Sequence, residues 1–134
     1  MNSEYQTEEY FVSIYIKKAH RERLRHELTS EKKRSRGLSR FAHQSGELLN
    51  PARIRMKDDN LENRNTFREF VMAHPEVCAI LSEDPAIDGK RMPFNEAVSI
   101  AAFSPDAVII IGDSFCAVFA EAEKGGREKY LLAE

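Results

Sequence analysis

The chain has 134 residues, 42% hydrophobic and 31% charged, with a formal net charge of −2 and two cysteines. That length supports a hydrophobic core without disulfide or metal staples, and the apolar content excludes wholesale disorder. No apolar run approaches the ~18 residues that a bilayer crossing needs, and the acidic start Met1-Asn2-Ser3-Glu4 leads into no signal-like apolar core, so a soluble cytoplasmic protein is expected.

The small total hides an asymmetry. Residues 17–40 hold half of all Lys and Arg: Lys17, Lys18, Arg21, Arg23, Arg25, Lys32, Lys33, Arg34, Arg36 and Arg40. Against them stand Glu22, Glu27 and Glu31, so the segment nets +7 and the rest of the chain −9. Separated charge of this kind decides which surfaces attract which partners.

In chain order, residues 1–9 are polar and read as a flexible N-terminus. The run 10–16 (YFVSIYI) has strand-like composition, yet it flows into helical sequence with no Gly or Pro break. A helix starting near Thr7 is preferred, with the Thr7 hydroxyl as cap and Glu8 and Glu9 at the positive end of the dipole. Ile16, Leu24 and Leu28 then share one face with His20 between them, while Lys18, Arg21, Arg25, Lys32, Arg36 and Arg40 recur at helical steps on another. Ser30 and Glu31 resemble a restart cap, Gly37 weakens the second piece, and Leu38, Phe41 and Ala42 resume an apolar face before Gly46. Two helices, or one bent helix, are expected over 8–44.

Asn50-Pro51 marks a break, and 52–60 reads as loop or a short turn. Thr66 and Glu69 match a capping box ahead of the apolar stripe Phe67, Phe70 and Val71, in a helix that Pro75 ends. A strand is expected at 77–81, followed by turn chemistry at Glu83-Asp84-Pro85 and Asp88-Gly89. Pro93 suits a first helical turn, and Phe94, Ala97, Val98, Ala101 and Ala102 give a helical face to about Phe103. Three strands follow at 107–111, 115–121 and 127–132, with hairpin turns at Gly112-Asp113 and Gly125-Gly126. Residues 108–111 are apolar on both faces, which predicts a central strand covered on both sides. The expected fold is one α+β domain over 1–134, mainly helical over 10–74, with a sheet and one helix over 77–132. Its sheet is small and mostly antiparallel (β-α-β-β-β), ending in a three-stranded meander.

The chemistry-bearing residues are sparse. The basic segment places several donors along one edge, at a pitch that a polyanion can follow. It carries no RNP, KH, helix-turn-helix or zinc-finger pattern, and Tyr15 and Phe41 beside it read as core. Glu83, Asp84, Asp88 and Glu96 offer oxygen ligands for Mg²⁺ or Ca²⁺, although their spacing matches no EF-hand and Asp-Pro and Asp-Gly are ordinary turn residues. His20, His26, His43 and His74 have no ligand spacing; His20 reads as a packing residue, and His43 and His74 suit helix C-termini. Cys78 and Cys116 lie in expected strands, where burial keeps a thiol protonated and unreactive. Gly125-Gly126 opens no helix, so it is no phosphate cradle.

These readings point to a non-catalytic binding or interaction module with no cofactor and no metal. Its contact surface is Lys18, Arg21, Arg25, Lys32, Arg36 and Arg40, offered to a protein partner or to a second copy of the chain. Two alternatives stand beside it: nucleic-acid binding through 17–40, and a small metal-dependent enzyme using the carboxylates near 83–96.

Overall fold

Six strands form one antiparallel sheet in the computed structural model, which describes residues 3–121 and 127–134. They are β1 (Ile54–Lys57), β2 (Val77–Ser82), β3 (Arg91–Pro93), β4 (Val108–Ile111), β5 (Phe115–Phe119) and β6 (Lys129–Ala133), in the order β1-β6-β5-β4-β2-β3. The α+β class, with helices first and antiparallel strands after, is as expected. The four expected strands form the middle of the sheet, and β1 and β3 extend it at either edge. Residues 52–60 are thus not simply loop: Ile54 and Met56 turn inward while Arg55 and Lys57 face solvent.

Five α-helices cover this sheet: α1 (Gln6–Tyr15), α2 (Lys18–Leu28), α3 (Arg34–Leu48, kinked at Gln44), α4 (Asn65–Ala73) and α5 (Phe94–Phe103). The N-terminal part therefore holds three helices, where two or one bent helix were expected over 8–44. Helix also starts earlier than a flexible 1–9 allows, since a 3₁₀ turn at Ser3–Tyr5 leads straight into α1 and Glu8 is buried. The break between α1 and α2 needs neither Gly nor Pro. There the Lys17 N–H donates to the Leu48 carbonyl at 2.9 Å and the Asn50 N–H to the Tyr15 carbonyl at 2.8 Å. Two backbone bonds from a distant segment thus replace the helical ones that the Lys17 N–H and the Tyr15 carbonyl forgo. Between α2 and α3 the Ser30 carbonyl accepts from the N–H groups of Lys33 and Arg34 (3.1 and 2.8 Å), and the helix restarts at Arg34 rather than at Ser30.

The sheet is buried on both faces. Side chains alternate along each strand, so Ile109, Ile111, Cys116, Val118, Tyr130 and Leu132 meet Phe11, Tyr15, Leu24 and Phe41 of α1–α3. On the opposite face Val108, Ile110, Phe115, Ala117 and Phe119 pack under Phe67 of α4 and Phe94, Ala97 and Ala101 of α5. All four residues of β4 are buried, each contributing roughly 1.5–3 kcal/mol of transfer free energy. That explains a run apolar on both faces. Cys78 joins the α4–α5 layer and Cys116 the α1–α3 layer, so a sheet of backbone separates the two thiols. No helix among the described residues is long and apolar enough to cross a membrane.

The β4–β5 turn is shifted by one residue from its expected place. Gly112 and Phe115 close it through a 2.9 Å bond from the Gly112 N–H to the Phe115 carbonyl, leaving Asp113-Ser114 as the two turn residues. Gly112 is there for space: a Cβ would stand 2.4 Å from the Phe115 ring. The expected turn at Gly125-Gly126 lies outside the described residues.

Candidate functional site on the α2–α3 hairpin

The basic segment folds into α2, a five-residue connection and α3. The two helices approach closely because position 37 is glycine; a Cβ there would come within 2.7 Å of the Glu27 Cβ. That approach lets the buried Glu27 carboxylate of α2 accept from Arg40 of α3, at 3.1 Å from Nε and 2.5 Å from Nη2. Arg23 stands at 3.9 Å on the other oxygen.

Arg34 anchors the hairpin to the rest of the protein. Its guanidinium reaches Asp88 in the β2–β3 loop through two 2.9 Å bonds, Glu8 of α1 at 2.6 Å and the Leu28 carbonyl ending α2 at 3.0 Å. Burial disfavours the charged form, yet the bonds and charges of Asp88 and Glu8 outweigh it and push the Arg34 pKa further up. Four segments are held by one side chain.

The six residues expected to form one stripe divide by role. Arg21 is half-buried and donates to the Ile16 carbonyl at 2.8 Å, closing the α1–α2 corner. Arg25, also half-buried, donates to Ser13 Oγ of α1 at 3.2 Å. Arg40 is turned inward onto Glu27. Lys18, Lys32 and Arg36 are exposed and make no ion pair with a carboxylate among the described residues. Lys18 lies at the far end of α2, which leaves Lys32 in the connection and Arg36 in the first turn of α3 as the expected residues at this tip.

Two residues outside the expected set complete this tip. Lys33 Nζ lies 3.2 Å from His26 Nε2, across the connection between the helices. An ammonium has donors only, so this bond requires an unprotonated Nε2 on His26 as acceptor. Seven-residue spacing across a turn carried no signal for the pair, because only the fold of the hairpin makes them neighbours. The tip also runs against helix electrostatics. The first turn of α3 contains Arg34 and Arg36, no acidic residue and no side-chain cap, although cations at a helix N-terminus are unfavourable by roughly 0.3–1 kcal/mol each.

The other expected centres do not assemble. Asp88 is engaged by Arg34 and the Ser82 N–H, Asp84 accepts from the Ala86 N–H, Glu83 accepts from Ser35 Oγ, and Glu96 is exposed on α5. Among the described residues, no three His, Cys, Asp or Glu side chains converge as metal ligands. His43 Nε2 stands 3.1 Å from Glu121, His74 Nδ1 2.8 Å from the Phe70 carbonyl, and His20 is half-buried on α2. Both thiols are buried; burial, followed by the charge of Glu76, pushes Cys78 up to about 12, and burial likewise raises Cys116 well above its ordinary value. Neither is a ready nucleophile.

Compared with protein families, with curated proteins and with solved structures, the chain has no significant match.

Proposed function

We propose that the protein is a non-catalytic binding module whose α2–α3 tip docks on an acidic surface of a protein partner. One observation carries this reading. Lys32, Lys33 and Arg36 are exposed at the positive end of α3, with no carboxylate partner among the described residues, where helix stability alone selects acidic residues. Elsewhere in the same segment, Arg34 and Arg40 are neutralised by the buried carboxylates of Glu8 and Glu27 and the half-buried one of Asp88. A local choice that opposes stability, beside others that serve it, marks a surface kept for binding. Electrostatic docking of this kind chiefly sets partner choice and association rate.

Nucleic acid is the rival partner. A stacking platform beside the cations would favour it, but Phe11, Tyr15 and Phe41 are buried in the core beneath the hairpin. The carboxylate-metal reading has little support where Asp88 is bound by Arg34.

The test is a double reversal, Lys32→Glu with Arg36→Glu, which spares every residue that anchors the hairpin. Retention of the wild-type protein on an immobilised acidic peptide at low salt is expected, and loss of retention in the variant. The melting temperature should hold or rise by a few degrees, since Arg36→Glu replaces a cation by an anion in the first turn of α3, where the exchange favours the helix by about 1 kcal/mol. Tighter binding to a mixed-sequence RNA or duplex DNA than to the peptide, with a steep salt dependence, would transfer the function to nucleic acid. Wild-type protein flowing through all three columns at low salt would end both readings.

A further inference from the structure

Resting on that docking reading, we infer that His26 and Lys33 form a carboxylate-binding site that takes up a proton when an acidic partner docks. The geometry carries this. Lys33 Nζ sits 3.2 Å from His26 Nε2, both side chains are exposed, and no described carboxylate is paired with either. In the free protein the Lys33 ammonium occupies the Nε2 side of the ring. A partner carboxylate is the stronger acceptor for Lys33. Once Lys33 turns to it, Nε2 is released, and a proton there makes His26 a second cationic donor to the same anion.

The surroundings are consistent with one added charge. Glu22 and Arg23 line the same shallow depression on α2 as His26. Glu27 faces inward and is bonded by Arg40. Glu31 and Lys32 precede Lys33 in the connection and are both exposed, and Arg34 after it is bound by Glu8 and Asp88. Glu22, one helical turn before His26, lines the depression with it, and the test includes it.

Linkage fixes the sign. If the complex binds one more proton than the free protein, affinity must rise as pH falls through the imidazole range. The probe is a twelve-residue polyglutamate peptide, titrated by fluorescence anisotropy at low salt at pH 6.0 and pH 8.0. The wild-type protein should bind about fivefold more tightly at pH 6.0. His26→Gln, whose amide oxygen still accepts from Lys33, should bind at both pH values with equal affinity. Glu22→Gln should keep the pH dependence. An undiminished pH dependence in His26→Gln overturns the inference while leaving the docking reading standing, as does its loss in Glu22→Gln. No binding by wild type at either pH overturns the docking reading, and this inference with it.

Discussion

Single side chains decide whether the hairpin exists at all. Gly37 is opposed by helix propensity, which favours Ala by about 1 kcal/mol, but its missing Cβ makes room for Glu27, whose own Cβ would stand 2.7 Å from it. Overpacking at such a contact costs about 1–3 kcal/mol, so steric strain outweighs propensity. Gly37→Ala should lower the urea midpoint; an unchanged or higher midpoint would show that the helices simply move apart. Arg34 is the other such residue. Truncating it to Met leaves Glu8 and Asp88 partly buried without their cation, at a cost of about 3–5 kcal/mol. Equilibrium unfolding of Arg34→Met should show that loss, and Glu8→Gln in the same background should recover part of it. A third device is the Arg127 guanidinium, which donates to the carbonyls of Ala101, Asp106 and Ala120 at 2.5–2.9 Å. It binds the end of α5 to the sheet without any carboxylate.

At the level of elements, the sequence is legible where local pattern and tertiary role agree. The strands β2, β4 and β5 and the helices α4 and α5 carry apolar periodicities that match their burial. It is illegible where a distant partner overrides local pattern. The end of α1 is set by backbone bonds to Leu48 and Asn50, and β1 by pairing with β6, so neither could be read from its own residues. Arg55 and Lys57 on β1 look like loop residues for the reason that they belong on an edge: charge there deters pairing with other chains. The proposed docking tip is only partly visible in the sequence: Lys32 and Arg36 are among the six residues expected on one face, Lys33 and His26 are not, and the fold alone separates the anchors Arg21, Arg25 and Arg40 from the exposed cations. The two-faced sheet also makes a prediction about the thiols. Cys78 and Cys116 should react with a thiol reagent slowly in native protein and fast in denaturant, and mild oxidation should produce no internal disulfide. Rapid labelling of one thiol in native protein would contradict the burial described.

For the whole molecule, buried acids of raised pKa define an alkaline limit. Burial and the charge of Glu76 raise Cys78 from 9.0 to about 12. Burial and a bond to Glu134 raise Tyr10 from 10.0 to about 12, and burial with a bond to Glu128 does the same for Tyr130. Each group stays protonated in the native state at pH values where the unfolded chain would release its proton. The native state therefore binds more protons above pH 9, and stability must fall as pH rises from there towards 12. The urea midpoint should be nearly level between pH 7 and 8.5 and decline beyond 9, with tyrosinate absorbance appearing together with loss of helix signal. Tyrosinate absorbance of all four tyrosines at pH 10.5 in a protein of undiminished ellipticity would refute this account.

The position of β6 has a consequence for how the chain is made. The strand at Lys129–Ala133 is inserted between β1 and β5, and Tyr130 and Leu132 form part of the floor on which α1–α3 rest. A ribosome delivers the three helices well before this strand of their floor. Until residues 129–133 have emerged, Phe11, Tyr15 and Phe41 have an incomplete surface to pack on, and β1 has no neighbour to pair with. Closure of the α1–α3 layer and pairing of β1 are accordingly expected to wait for β6, so a nascent chain arrested before residue 129 should show less protection of Phe11, Tyr15 and Phe41 than one arrested well after 133.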